Sequence, residues 1–279
     1  MWLATVFVPS ATPPATTLER LVNTPADDFT DPQTVRRELL DPDQSVRDAF
    51  AQHLAAELDA LAARVADCFR HLQPVLDAGE RVNLPRTNLA IALALGVLDD
   101  VVVATKLLTA GKLPAAGNVM RQAIEGVAMT LLCSTDQDLV IVERPKQGDL
   151  RGRYWELVMA DDRLVQGQRA VEQLGWNAAT LGVNPDGVAV LQQAQRFFHP
   201  FSHCGRFTLA SRAALEEPGR FHLGGHFDVA KLPGYRVHLQ QHIGLCSVLP
   251  PLLDYLLAAL PPANAAPAAA AIPNPPAAA

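Results

Sequence analysis

Apolar side chains recur at steps of three and four through Val46, Phe50, Leu54, Leu58, Leu61, Val65, Phe69 and Leu72, the spacing of one face of an α-helix. Ser45 followed by Asp48 resembles a capping box at its start, and Pro74 and Gly79 mark its expected end. A second helix, from Thr87 to Ala110, is apolar nearly all round and stops at Gly111, as the central helix of a bundle would. Pro114 suits the first turn of a third helix that runs to Cys133. A more polar fourth helix is expected over Asp149 to Leu174, closed by Gly175. Asn184 and Pro185 offer a cap and first position for a fifth, which directs Val188, Leu191 and Phe198 to the core. After a Gly-rich, His-containing loop between Pro218 and Gly234, a last helix starts near Tyr235, and Pro250-Pro251 should break or kink it. No alternating run is long enough to read as a strand. The pattern therefore predicts an all-α fold, an antiparallel helical bundle with short connections.

The flanks differ from this core. Residues 1–42 are rich in Pro, Thr and Asp and read as an irregular N-terminal arm with one short helix at Val35 to Leu40, residues 43–260 as a single helical-bundle domain. From Pro261 the tail has six prolines, no charge and almost nothing to bury, and is expected to be disordered. The 279 residues carry a net charge of -6, which argues against a surface devoted wholly to polyanions. The charge is uneven: residues 1–195 hold 17 Lys/Arg against 25 Asp/Glu, whereas residues 196–242 hold 6 against 3 and contain six of the eight histidines. Candidate chemistry concentrates there, because imidazole titrates near neutral pH.

Cys68, Cys133, Cys204 and Cys246 are widely separated and form no C-x-x-C pair, so reduced thiols in a cytoplasmic protein are expected. The start of the chain lacks the basic residues of a secretory signal. The run Leu89 to Leu108 approaches membrane-spanning length, but Asp99 and Asp100 at its middle would cost about 2.5 to 3.5 kcal/mol each in lipid. It reads as a core helix, and no membrane partner is expected.

Two polar constellations carry the functional expectation. Arg121 and Glu125 lie one turn apart on an otherwise apolar helix and are expected to form a partly buried structural ion pair, with Glu125 also able to reach across the bundle and orient an Arg or His of the fifth helix. The stretch RFFHPFSHCGR places Arg196, His199 and His203 close together. On a continuous helix, residues three and seven beyond Arg196 return to its side. A guanidinium can hold a phosphate bidentately and an imidazole can move a proton, which is the equipment for cleaving RNA through its own 2′-hydroxyl without a metal or other cofactor. Pro200 opposes the continuous helix. Three H-x-x-x-H pairs, His199/His203, His222/His226 and His238/His242, raise metal binding as an alternative. Only His238/His242 is cleanly helical, and no pair holds the Glu of H-E-x-x-H.

The order of an apolar helix, then LLTAGKLPAAGNVMRQAIEGVAMTLL, then a helix ending in RFFHPFSHCGR, resembles the HEPN superfamily of bacterial helical proteins. The likeness is to uncharacterised branches with an R-x-x-x-E helix followed by an aromatic-Ser-x-His segment, over roughly residues 85–260. It implies a metal-independent ribonuclease of toxin or phage-defence type, working as a homodimer in which an Arg-x(4–6)-His motif from each subunit lines a shared cleft. Arg196 would then hold the scissile phosphate of RNA and His203 would transfer the proton, with His199 and Glu125 in support. Phe197 stands where active members usually carry a polar residue, and some HEPN proteins serve only as partners. A non-catalytic helical interaction or nucleotide-binding module is therefore the alternative expectation. A metal-dependent bundle resembling DinB-like proteins with their histidine triads is the third.

Overall fold

The computed structural model describes residues 29–215 and 221–261. Residues 1–28 of the expected arm over 1–42, and residues 262–279 of the expected tail over 261–279, lie outside the described residues. What is described is an all-α bundle: α1 (Pro32–Leu39), α2 (Gln44–His53), α3 (Ala55–Val82), α4 (Pro85–Thr109), α5 (Leu113–Leu132), α6 (Tyr154–Met159), α7 (Gly167–Leu181), α8 (Pro185–Phe198), α9 (Arg206–Arg212) and α10 (Leu232–Ala259), with one small hairpin of β1 (Asp138–Val142) and β2 (Leu150–Arg153).

The α5 helix is the hub. It packs along α4 and also meets α7, α8 and α10, while α10 lies against α3. Its composition explains the position. Ala116, Met120, Ala123, Ile124, Val127 and Ala128 are buried, and removing such side chains from water supplies roughly 25 cal/mol per Å² of apolar surface. Val97 of α4 approaches Gly126 of α5 so closely that a β-carbon there would stand 2.8 Å from Val97 Cγ2. Short turns at Asn83-Leu84 and Ala110–Lys112 reverse the chain on either side of α4, and Gly111 takes the left-handed conformation (φ +73°) that glycine accepts readily.

The structure departs from the sequence pattern in five places. The first periodic run divides at Leu54 (φ -130°, ψ 26°), and the bend lets Phe50 pack on Phe227 and Tyr235, at ring-centre distances of 5.0 and 4.7 Å. The Ser45/Asp48 box does not form: Asp43 occupies the N-cap without capping it, its carboxylate being bound to Lys112 at 2.6 Å, and Asp48 accepts from Gln44 instead. Neither Pro74 nor Gly79 ends α3, which continues to Val82.

The expected fourth helix is replaced by the hairpin, the short α6 and α7, which passes through Gly175. β1 survives as a strand because α7 satisfies its backbone: Asn177 exchanges hydrogen bonds of 2.8 and 2.9 Å with the N–H and carbonyl of Val140. Gln173 donates to the Ile141 and Leu164 carbonyls and accepts from the Tyr154 hydroxyl.

The α10 helix runs unbroken through Pro250 and Pro251. Pro250 cannot donate to the carbonyl of Cys246. The Cys68 thiol of α3 donates to that carbonyl at 3.3 Å. Val229–Ala259, which contains α10, is long and apolar enough to cross a membrane by length and composition, with a mean hydropathy of 1.4 in its most apolar window. Tyr235, Leu239, Leu245, Cys246, Leu249, Leu253 and Leu256 on it are buried inside the bundle.

Candidate functional site

The fifth predicted helix is present as α8, with Asn184 accepting from the Asp186 N–H and Pro185 in the first turn. It ends at Phe198, where Pro200 opens a 3-10 turn, His199–Phe201, followed by bends through Gly205. Pro200 has no N–H to offer the Arg196 carbonyl. The seven-residue repeat from Arg196 to His203 therefore does not lie on one helix, a correction to the continuous reading.

Four phenylalanines anchor the segment. Phe198 and Phe201 are buried, and Phe197, Phe198, Phe201 and Phe207 stack in series with ring centres 4.4 to 6.2 Å apart. Gly117 of α5 lies directly under the Phe201 ring, where any β-carbon would collide with it. Outside this apolar anchor stand the polar groups. Arg196, His199 and His203 are exposed, and Arg196 has no hydrogen-bond or ion-pair partner among the described residues. His199 and His203 meet edge to face with ring centres 4.8 Å apart.

Arg121 and Glu125 form the expected ion pair, Nε to Oε1 at 2.9 Å, with both side chains less than a fifth exposed. Glu125 does not orient Arg196 or either histidine of the exposed pair. Its second contact is Gln195 Nε2 at 3.5 Å, so it meets α8 through the residue before Arg196. The structure thus brings His199 and His203 together, joins neither of them to Arg196 by a hydrogen bond or ion pair among the described residues, and leaves Glu125 bound to Gln195.

His238 and His242 are buried directly behind the phenylalanines, with the His238 ring 5.1 Å from Phe198 and 5.3 Å from Phe201. The Thr105 hydroxyl donates to the Val101 carbonyl at 2.8 Å, so it accepts from His242 Nδ1 at 3.0 Å. That leaves His242 Nε2 to accept from His238 Nδ1, also at 3.0 Å. The relay ends at His238 Nε2, a buried lone pair with no partner; the Ser202 hydroxyl, next to Phe201, is likewise buried and unpaired. Burial holds both rings neutral. His238 is pushed down to about 3 and His242 well below the ordinary imidazole range, first by desolvation and then by its neighbour. The two rings spend their facing nitrogens on each other. Among the described residues no group of three or more His, Cys, Asp and Glu is arranged to hold a metal ion.

No protein-family model matches the chain, and no curated protein or solved structure is significantly similar to it. The chemistry is read from these side chains alone. Sequence reasoning missed Thr105, which pairs with a residue 137 positions away, and Lys231, fully buried between Ser211 and His226. A threonine on an apolar helix and a lysine beside a loop carry no signal of such roles.

Proposed function

We propose that the chain is a metal-independent endoribonuclease of toxin or phage-defence type, acting on RNA as a homodimer through Arg196, His199 and His203. One observation carries this reading: two exposed imidazoles with ring centres 4.8 Å apart, three and seven residues along the chain from an exposed guanidinium that has no partner among the described residues. Arg196 is free to take two oxygens of a phosphodiester. His203 accepts the proton of the 2′-hydroxyl as its oxygen attacks phosphorus. His199 returns a proton to the departing 5′-oxygen. The products are a 2′,3′-cyclic phosphate and a 5′-hydroxyl, so protons and bonds balance without a metal. Arg121 and Glu125 serve as the structural pair that steadies α8 through Gln195.

The homodimer has a natural seat in this reading. An apolar groove between α8 and α10, about 280 Å³ in volume, is walled by Val190, Leu191, Ala194, Phe197, Leu245 and Val248. Phe197 follows Arg196 directly and Ala194 lies two residues before it, so a second copy held there brings two Arg/His segments to one cleft.

Cleavage of a mixed RNA panel in EDTA tests the proposal. Activity should persist in chelator and fall about 10²- to 10⁴-fold in His203→Ala, the usual contribution of a positioned acid or base. Full activity in that variant, or no turnover on any RNA, sinks the catalytic reading. The second outcome leaves the same surface as a non-catalytic interaction module, which the apolar groove would serve equally well.

A further inference from the structure

A second cluster of titratable groups lies away from the His199/His203 surface, in a cleft of about 450 Å³ bounded by Gly111-Lys112, Pro114-Ala115, Ser211-Arg212 and the turn His222–His226. That volume falls in the range of small-molecule sites, roughly 300 to 1,000 Å³. The turn is fixed in place by close backbone approach: a β-carbon at Gly111 would collide with the His226 backbone, and one at Gly225 with the Ala110 carbonyl. His226 is therefore held rigidly in the wall, its residue only 7% exposed.

Behind it sits Lys231, 0% exposed. Its Nζ donates to the Ser211 carbonyl at 2.9 Å and to His226 Nε2 at 2.8 Å, while Asp228 stands off at 3.9 Å. The Asp228 oxygens are taken by the Leu215 and Ala230 N–H groups. An ammonium has only protons to give, so His226 Nε2 must be the accepting nitrogen and Nδ1 must carry the hydrogen. Nδ1 has no partner among the described residues and is not sealed off from solvent. The His226 ring lines the cleft stacked on His222, with ring centres 4.2 Å apart, as a donor backed by a buried cation. Arg212 beside it is exposed and has no partner among the described residues.

Among the described residues no acid lines the cleft. Asp43 is bound to Lys112 at 2.6 Å, Asp228 lies behind with Lys231, and Glu38 stands against Gly224 outside the lining. The charged or titratable side chains that do line it are Lys112, Arg212, His222 and His226. Pro114, Ala115 and Leu223 supply apolar wall. Donors together with apolar wall, and no carboxylate among the described lining residues, suit a phosphate group attached to a less polar body.

We propose that this cleft binds a small phosphorylated molecule, its phosphate held by His226 Nδ1–H and the Arg212 guanidinium. The site is independent of the ribonuclease reading. Calorimetry on the full chain with AMP, inorganic phosphate and adenosine tests it, alongside Arg212→Gln, an exposed position whose loss leaves the fold intact, and NMR of the His226 ring nitrogens. AMP and phosphate should bind and adenosine should not. Arg212→Gln should weaken AMP about ten- to a hundredfold, as expected for losing a charge-assisted contact, and phosphate should shift the His226 Nδ1 signal in the unaltered chain. Absence of AMP and phosphate binding, affinity unchanged by Arg212→Gln, or a His226 signal indifferent to phosphate overturns the proposal. So does a short RNA oligonucleotide that binds through Arg212 when AMP and phosphate do not.

Discussion

At the scale of single residues, the dominant physical feature is a set of neutral imidazoles shut away from water. His226 and His238 are each pushed down to about 3 by burial, with Lys231 adding repulsion at His226, and His242 is pushed in the same direction. In the unfolded chain all three titrate near 6.5. Below that pH the unfolded state binds protons that the folded state refuses, so stability is intact above about 6.5 and is lost as pH falls toward 3, by about 1.4 kcal/mol per pH unit for each histidine. Asp100 works the other way. Burial and Asp99 raise it to about 6, so between there and its unfolded value near 3.9 the folded state holds the extra proton and gains stability on acidification. Three groups oppose one, and the sum favours loss. Urea denaturation at pH 7.5, 6.0 and 5.0 should show a level midpoint down to about 6.5 and a steep fall beneath it. A midpoint unchanged across that range would mean that the imidazoles are hydrated or already charged.

At the scale of elements, prolines that read as helix breakers are tolerated where a neighbour supplies what they lack. Pro250 removes a donor, and the Cys68 thiol, reaching from α3 to the Cys246 carbonyl, takes its place. If that thiol is the substitute partner, Cys68→Ala should cost about 1 to 3 kcal/mol in Pro250 protein, mostly for the buried carbonyl left alone. It should cost less when Pro250→Ala restores the backbone N–H. A double-mutant cycle by chemical denaturation reads the difference, and strict additivity would show the thiol to be mere packing. The same contrast explains what could be read beforehand. The helix starts at Pro185 and near Pro114, and the stop at Gly111, follow from local chemistry and agree with the structure. β1 could not be foreseen, because five residues of strand rest on pairing with β2 and on side-chain bonds from Asn177 and Gln173 on α7, contacts that only folding supplies. The continuation of α3 past Pro74 and of α10 past Pro250 likewise runs against the local signal that proline gives.

At the scale of the whole molecule, the candidate site shows the same division between local and distant causes. The exposed Arg196, His199 and His203 could be picked out from one stretch of eleven residues, since charge and imidazole on an aromatic background stand apart from an Ala- and Leu-rich chain. The relay through Thr105 and the buried Lys231 could not, since each joins segments that only folding brings together. Assembly adds a further level. A single exposed Arg/His segment gives a phosphodiester little enclosure, and water competes for every charge there. Two copies seated through the α8/α10 groove would enclose the phosphate between paired guanidiniums. The half-exposed Val190 and Val248 on the groove walls would then be covered. A charge placed there should prevent this without disturbing the core, because Val248 is 40% exposed in the single chain. Val248→Asp should therefore give a monomer of unaltered helicity by light scattering and circular dichroism, and RNA cleavage should fall with the dimer. A monomeric unaltered chain that cleaves RNA would place the whole site in one copy, and a Val248→Asp dimer would move the interface elsewhere.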